Sequence, residues 1–327
     1  MVKKIIKKQK IVTIGGGTGS FTLLSGLKNY PVDLAAIVSM ADDGGSTGVL
    51  RDEMGVLPPG DVRQCLVALS KSSQTLRELF NFRYSRGGLS GHSFGNLFLS
   101  TLEKITGNFN EAVREAGSIL RIRGKVIPVT LTNTKLVAIL QSGYKIVGQQ
   151  RIYESDLTLL KKLELRPPAT INPEAALVIK RADKIIINPG SLFCSIVPCL
   201  LVRGLPEAIR QSRAKKIYVC NLMTEAGHTI NFSVINFLET IEKYLGRGVI
   251  KYVIYNTEKS NNELIKKYLS RKENFVLPVN FTSRPNIKFI GRRLLSRKIY
   301  RPVKGDRMPR KLVRHDIDKI AKIIFNL

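Results

Sequence analysis

Two neighbouring carboxylates, Asp42 and Asp43, stand in the run Ser39-Met40-Ala41-Asp42-Asp43-Gly44-Gly45-Ser46-Thr47-Gly48. Paired acids beside a glycine and hydroxyl loop suit a divalent cation, because hard cations take oxygen ligands. They equally suit hydrogen bonds to a ribose or a substrate hydroxyl, or plain solvation in an Asp-Gly turn. A third acid, Asp61, follows Pro58-Pro59-Gly60 and opens an apolar-spaced segment (Val62, Leu66, Leu69). Its simplest role is the N-cap of that helix. Arg63, in the first turn, runs against the helix dipole unless it faces an anion. Catalytic residues stay open, with Asp42, Asp43 and Asp61 the candidates, and Asp42 and Asp43 are the candidate ligands of a divalent cation such as magnesium. His92 lies in a glycine-rich loop (Gly87 to Asn96) ahead of Leu97, Leu99 and Leu102. A histidine there can contact a ligand or donate a proton, or it can cap the helix.

These groups need a frame, and the glycines supply it. Lys10 to Ile14 is a short apolar run that enters Gly15-Gly16-Gly17-Thr18-Gly19-Ser20, after which Phe21, Leu24 and Leu27 recur at helical spacing. The pattern is a buried strand, a tight turn and a helix whose start opens on the turn. Unpaired N–H groups and a partial positive charge at a helix start favour a phosphate. Glycines let the backbone approach it. Neither a dinucleotide fingerprint nor a Walker A loop is met, since Ser20 or Thr22 replaces the third glycine and no Gly-Lys-Ser/Thr follows. A nicotinamide oxidoreductase would rest on the glycine loop alone.

The same unit recurs. Asp33 to Val38 reads as a strand ending at the acidic loop. Lys184 to Ile187 ends in Asn188-Pro189-Gly190-Ser191, and Lys216 to Cys220 ends in Asn221-Leu222-Met223-Thr224. Gly248 to Tyr255 is the last clear central strand, and Ile119 to Val129 is also strand-like. Residues near Gln141 to Leu165 form a small β excursion, hairpin-like at Ser142-Gly143, and Ala175 to Ala182 a helix. Strands alternating with helices, with polar loops after each strand, specify an α/β fold with a mainly parallel sheet and one shared site edge.

The chain has 327 residues, 43% of them hydrophobic, enough for a sizeable core. It divides into a basic tail, 1–9, and a single domain, 10–327. No apolar run reaches membrane-spanning length and no secretory leader is visible, which points to the cytoplasm. Cys65, Cys194, Cys199 and Cys220 lack CxxC spacing and read as small core residues. The formal charge is +28, and more than half of it falls after residue 200. Arg284 to Arg314 holds twelve basic residues and one acid, Asp306. Such a run can meet nucleic acid or an anionic membrane, though a solvated insert (284–312) is the simpler reading, given little aromatic interleaving.

Taken together, the segments Ile14–Ser20, Val38–Glu53, Pro58–Leu69, Gly91–Leu99, Asn188–Val202, Cys220–Gly227 and Val313–Ala321 resemble the CofD-like superfamily, and most closely its YvcK-type branch of gluconeogenesis factors. The resemblance implies a Rossmann-like three-layer domain, usually a homodimer or larger homo-oligomer. In the CofD branch it implies a magnesium-dependent transferase moving a phospholactyl group from a nucleotide-linked donor to a deazaflavin. Phe82, Tyr84 and Phe94 could wall such an acceptor pocket. In the YvcK-type branch it implies a nucleotide-containing ligand such as UDP-N-acetylglucosamine, gluconeogenic growth, cell shape and cell-wall synthesis. Carried onto this chain, the family's site residues are Gly15 to Thr18, Asp42, Asp43, Asp61, Asn96, Asn188, Gly190 and Ser191, with Tyr268 and Arg314 tied to the nucleotide sugar. The full expected ligand site adds Gly19, Ser39, Gly60, Arg63, His92 and Asn221. Three features depart from the pattern: Cys194 where threonine is usual, no acidic pair after Thr224, and the basic insert.

Overall fold

The computed structural model describes residues 8–259, 266, 268–278, 284–297 and 313–327. Most of the basic tail and residues 298–312 of the basic stretch lie outside them. The framework is a seven-stranded sheet in the order β10-β9-β8-β7-β1-β2-β3, every neighbouring pair parallel. The strands are β1 (Gln9–Gly15), β2 (Val32–Val38), β3 (Lys125–Pro128), β7 (Lys184–Ile187), β8 (Lys215–Val219), β9 (Tyr252–Asn256) and β10 (Lys288–Arg292). Ile11, Ile14, Leu34, Ile37, Ile185 and Ile217 are all sealed from solvent. Helices cover both faces, so the central strands read as continuous apolar runs and not as alternating ones.

Helices α1 (Gly17–Leu27), α2 (Gly45–Met54), α3 (Gly60–Leu69), α4 (Gln74–Asn81), α5 (Phe94–Thr106) and α6 (Phe109–Ile119) fill the chain up to β3. After β7 come a π-helical turn (Leu192–Ile196), α9 (Val197–Leu200), α10 (Leu205–Gln211) and, past β8, α11 (Val234–Leu245). The last helix, α12 (Ile317–Asn326), packs on α1, where Gly26 faces Ile317 and Ala321. Lys184 is buried beneath it. Its Nζ donates to Gln9 Oε1 (2.8 Å) and to the carbonyls of Ile324 (2.7 Å) and Phe325 (2.9 Å), a cation where the helix leaves acceptors open.

A second, antiparallel sheet runs β5-β4-β6, made of β4 (Lys135–Leu140), β5 (Lys145–Val147) and β6 (Leu160–Arg166), with α7 (Gln149–Glu154) between β5 and β6. This is the expected excursion, now carrying a helix. Helix α8 (Pro173–Lys180) leads back to β7.

Three local expectations are corrected. The segment expected as strand over 119–129 is the end of α6 and a turn, and only Lys125–Pro128 extends. Helix α3 begins at Gly60, with Pro59 as its cap residue, so Asp61 sits inside the first turn. And β9, the last central strand as expected, is not the edge of the sheet: β10 pairs with it from inside the basic stretch, Lys288 opposite Tyr252. Arg284, which opens that stretch, is ion-paired to Glu239 (2.8 Å) and Glu242 (3.1 Å). The four cysteines are free and buried. Among the described residues no helix is long and apolar enough to cross a membrane.

Candidate functional site

Strand β1 is flanked by β2 on one side and β7 on the other, so the winding of the sheet reverses at β1. The register brings Ile14 level with both Ile37 and Ile187. The three loops that follow these strands therefore leave the sheet together. A crevice at such a switch point is where open parallel sheets bind ligands. Here it is a cleft of about 620 Å³, within the ~300–1,000 Å³ usual for small-molecule sites.

Helices α1, α2, α3 and α5 all start on this cleft. Their caps divide them. Away from the cleft, α4, α6, α8, α11 and α12 are capped by the side chains of Ser73, Asn108, Asn172, Ser233 and Asp316, and on the cleft α5 is capped likewise by Ser93. The cap residues of α1, α2 and α3 are Gly16, Gly44 and Pro59, none with a side-chain cap. Three helix starts thus turn main-chain donors and their partial positive charge toward one space. Gly17 has φ +61°, the left-handed region that suits glycine. A Cβ on Gly19 would lie 1.7 Å from the Pro189 carbonyl oxygen, so the first loop seats directly on the third.

Asp42 accepts the Gly44 N–H (3.1 Å) at the start of α2. Asp61 reaches across to accept the Gly17 N–H at the start of α1, and its oxygen fills the space a Gly16 side chain would need. The two acids raise each other's proton affinity. Burial pushes Asp61 up to about 7, with the Asp42 charge adding to it and the Gly17 N–H and Arg63 opposing. Burial raises Asp42 too, with the Asp43 charge adding to it and the Gly44 N–H, the Thr47 hydroxyl and Arg51 opposing. Asp43 does something else. Its carboxylate accepts the N–H groups of Gln149 (3.0 Å) and Gln150 (2.8 Å), fixing the start of α7, and it is absent from the cleft lining. The structure therefore corrects the Asp42–Asp43 pairing over one ion: successive side chains diverge, and the acid facing Asp42 is Asp61.

Arg51 holds the acidic loop from below, donating to the Asp42 carbonyl (3.2 Å), Asn133 Oδ1 (2.6 Å) and the Thr134 carbonyl (2.9 Å). Buried Arg63 donates through Nε to Asn96 Oδ1 (2.9 Å). Asn96 Nδ2 bonds Ser46 Oγ (3.3 Å), and Ser46 meets His92 Nδ1 (3.1 Å). On the opposite wall Asn221 Nδ2 donates to the Gly190 carbonyl (2.7 Å), and Ser191 Oγ donates to Glu225 (2.8 Å). His315 is buried, its proton affinity lowered to about 4 by desolvation, and Nε2 bonds the Cys220 carbonyl (3.1 Å).

Of the expected site residues, the cleft gathers Gly16, Gly17, Thr18, Gly19, Asp42, Gly60, Asp61, Arg63, His92, Asn96, Gly190, Ser191, Asn221 and Arg314. Gly15, Ser39, Asn188 and Tyr268 stand behind the lining. Asn188 Nδ2 ties the β7 loop to Ser20 Oγ (2.9 Å). Tyr268 packs on Leu222 and Met223 and its hydroxyl accepts the Val313 N–H (3.4 Å), backing the wall that carries Arg314. Phe94 packs with Phe80 and Phe98, and Phe82 stacks edge-on with Tyr84, so none of the three aromatic residues expected as walls lines the cleft. Sequence reasoning missed Thr47, Arg83, Glu225 and the α7 residues Gln149, Gln150 and Tyr153.

Among the described residues no cluster of three or more His, Cys, Asp or Glu side chains could hold a metal. Asp42 and Asp61 still fit magnesium, which is commonly held by one or two carboxylates with waters and substrate phosphates completing the shell. Their mutual repulsion is what such a cation relieves.

Fold and cleft define an α/β protein built on a parallel sheet, with its main cleft at the winding reversal. Within that class the chain belongs to the CofD family: the family described as 2-phospho-L-lactate transferase CofD matches residues 11–295. It is 38% identical to the gluconeogenesis factor of Bacillus subtilis, covering 98% of each chain. It is 41% identical to that of Halalkalibacterium halodurans over 82% of this chain and 83% of the relative. A crystal structure of a UPF0052 family protein from Bacillus halodurans superposes with a TM-score of 0.90, at 36% identity, covering 98% of this chain and 99% of the other.

Proposed function

We propose that the cleft binds a nucleotide sugar of the UDP-N-acetylglucosamine type, and that the protein acts as a regulatory factor in gluconeogenic growth, cell shape and cell-wall synthesis. The observation that carries the binding is the convergence on one cleft of three helix starts whose own cap residues lend no side chain. A diphosphate is the ligand group those donors suit best. Asn96, Ser191 and Asn221 offer amide and hydroxyl groups for a sugar, and Arg314 a cation for the second phosphate. The gluconeogenic part of the role draws on the names of the relatives, and cell shape and cell-wall synthesis on the resemblance to the YvcK-type branch.

Titration calorimetry of the full chain with UDP-N-acetylglucosamine, UDP and uridine tests the binding. Micromolar affinity for the first two and none for uridine is the expected result. Absence of heat at millimolar ligand, with the protein folded, overturns it.

The Asp42–Asp61 pair favours one second reading, a CofD-type transferase. A bound magnesium would neutralise charge on the diphosphate of a nucleotide-linked donor. Asp42 and Asp61 would hold it, and the starts of α1 and α2 would orient the phosphates. Incubation with a nucleotide-linked phospholactate, a deazaflavin and magnesium, followed by mass spectrometry for a new phosphodiester, decides between catalysis and sensing.

A further inference from the structure

A second groove lies at the other edge of the sheet, where β8, β9 and β10 begin. It measures about 750 Å³ and is lined by Arg213, Lys215, Lys216, Lys251 and Lys288, with the Tyr252 ring and Pro285 between them. Five cations and no acid line it. Among the described residues none of the five is in an ion pair. The arrangement follows from the sheet. The Lys251 N–H donates to the Lys216 carbonyl (3.0 Å) and the Lys288 N–H to the Lys251 carbonyl (2.8 Å), so Lys216 and Lys251 enter adjacent strands level with each other and Lys288 enters the next one register step on, level with Tyr252. Parallel strands stand about 4.8 Å apart. Like charges at that spacing repel, and Lys216 has its proton affinity lowered by burial and by Lys251. Lys215 and Lys216 also serve the fold, their Nζ atoms donating to the Leu327 and Ser212 carbonyls, and Arg213, Lys251 and Lys288 line the groove beside them.

We propose that this groove binds a strand of single-stranded nucleic acid, its phosphates along the lysine row and a base against Tyr252. A row of cations beside a half-exposed aromatic ring in a concave groove is the arrangement that follows a single strand. A membrane surface is flat, and a recessed row meets it poorly. Strand β8 is five residues long, so about 17 Å of sheet separates the groove from the cleft. The two sites can be altered independently.

The test is fluorescence anisotropy of a fluorescein-labelled 20-nucleotide oligouridylate with the full chain, from 50 to 300 mM salt. The triple variant Lys216→Gln, Lys251→Gln, Lys288→Gln removes the row. The variant Lys145→Gln, Lys161→Gln, Lys180→Gln removes the same charge from exposed positions elsewhere. The expected result is at least a tenfold loss of affinity for the first triple, with a log–log salt slope shallower by about 2, since each lost single-strand phosphate contact contributes about 0.7. The control triple should change affinity less than twofold. Nucleotide-sugar binding in the cleft, followed by calorimetry, should be the same in both triples and so report that each is folded. Equal losses in the two triples, no binding by the unsubstituted chain at 150 mM salt, or loss of binding to phosphatidylglycerol vesicles but not to the oligonucleotide would each overturn the proposal.

Discussion

Replacing Asp61 by asparagine tests whether two acids crowd the cleft floor. In the folded chain burial and Asp42 hold the Asp61 proton to about pH 7, against an ordinary value of 3.8. Between those values the native state binds more protons than the unfolded one. Stability therefore falls as pH rises, and the whole penalty is present above pH 7. Three pKa units at ~1.4 kcal/mol each set a ceiling near ~4 kcal/mol. Asp61 is partly exposed, so a net gain of about 1–2 kcal/mol for Asp61→Asn at pH 7.5 is the working figure. The asparagine oxygen can still accept the Gly17 N–H, which removes capping as a confounder. Urea unfolding at pH 5 and pH 7.5, without divalent ions, should show the variant more stable, with a gap that widens at the higher pH. Millimolar magnesium should narrow the gap by stabilising only the parent chain. A variant destabilised equally at both pH values would refute the reasoning and leave Asp61 as a helix-start acceptor alone.

Two further substitutions follow from the same geometry. Asp43→Ala strips both acceptors from the start of α7. It should speed hydrogen exchange at Gln149 and Gln150 at least tenfold and cost about 1 kcal/mol, and unchanged protection of these amides would count against the clamp. Gly19→Ala drives a Cβ into the Pro189 carbonyl, whereas Gly88→Ala meets nothing within 4 Å. The first should lose about 3 kcal/mol or fail to fold and the second stay within about 0.5 kcal/mol, read from urea midpoints.

The frame of this site was legible because its signals are local. An apolar run, a glycine turn and a helical repeat announce β1 and α1, and the same cadence announces β2, β7 and β8. What was misread depends on direction and distance. Asp42 and Asp43 look like a pair in the sequence, yet one faces the cleft and the other spans to Gln149, 106 residues away. Asp61 looks like a cap because it is an acid at a helix start, yet Gly60 already belongs to the helix and frees the side chain to cross to α1. Glu225 stood in view within a polar loop, but only the fold brings it to Ser191. The α7 residues carried no signal, since their helix is six residues long and sits inside a β excursion. Strand β10 was hidden because Lys288 and Arg292 frame its short apolar centre.

The central strand has an implication for how the chain is made. β1 closes against β7, whose first paired residue, Lys184, lies opposite Ile11. At roughly 5–20 residues per second of synthesis, that partner emerges from the ribosome on the order of ten to thirty seconds later. Until then one edge of the strand that carries Ile11, Val12 and Ile14 waits uncovered, so the newborn protein is most prone to aggregate while its glycine turn exists without a site around it.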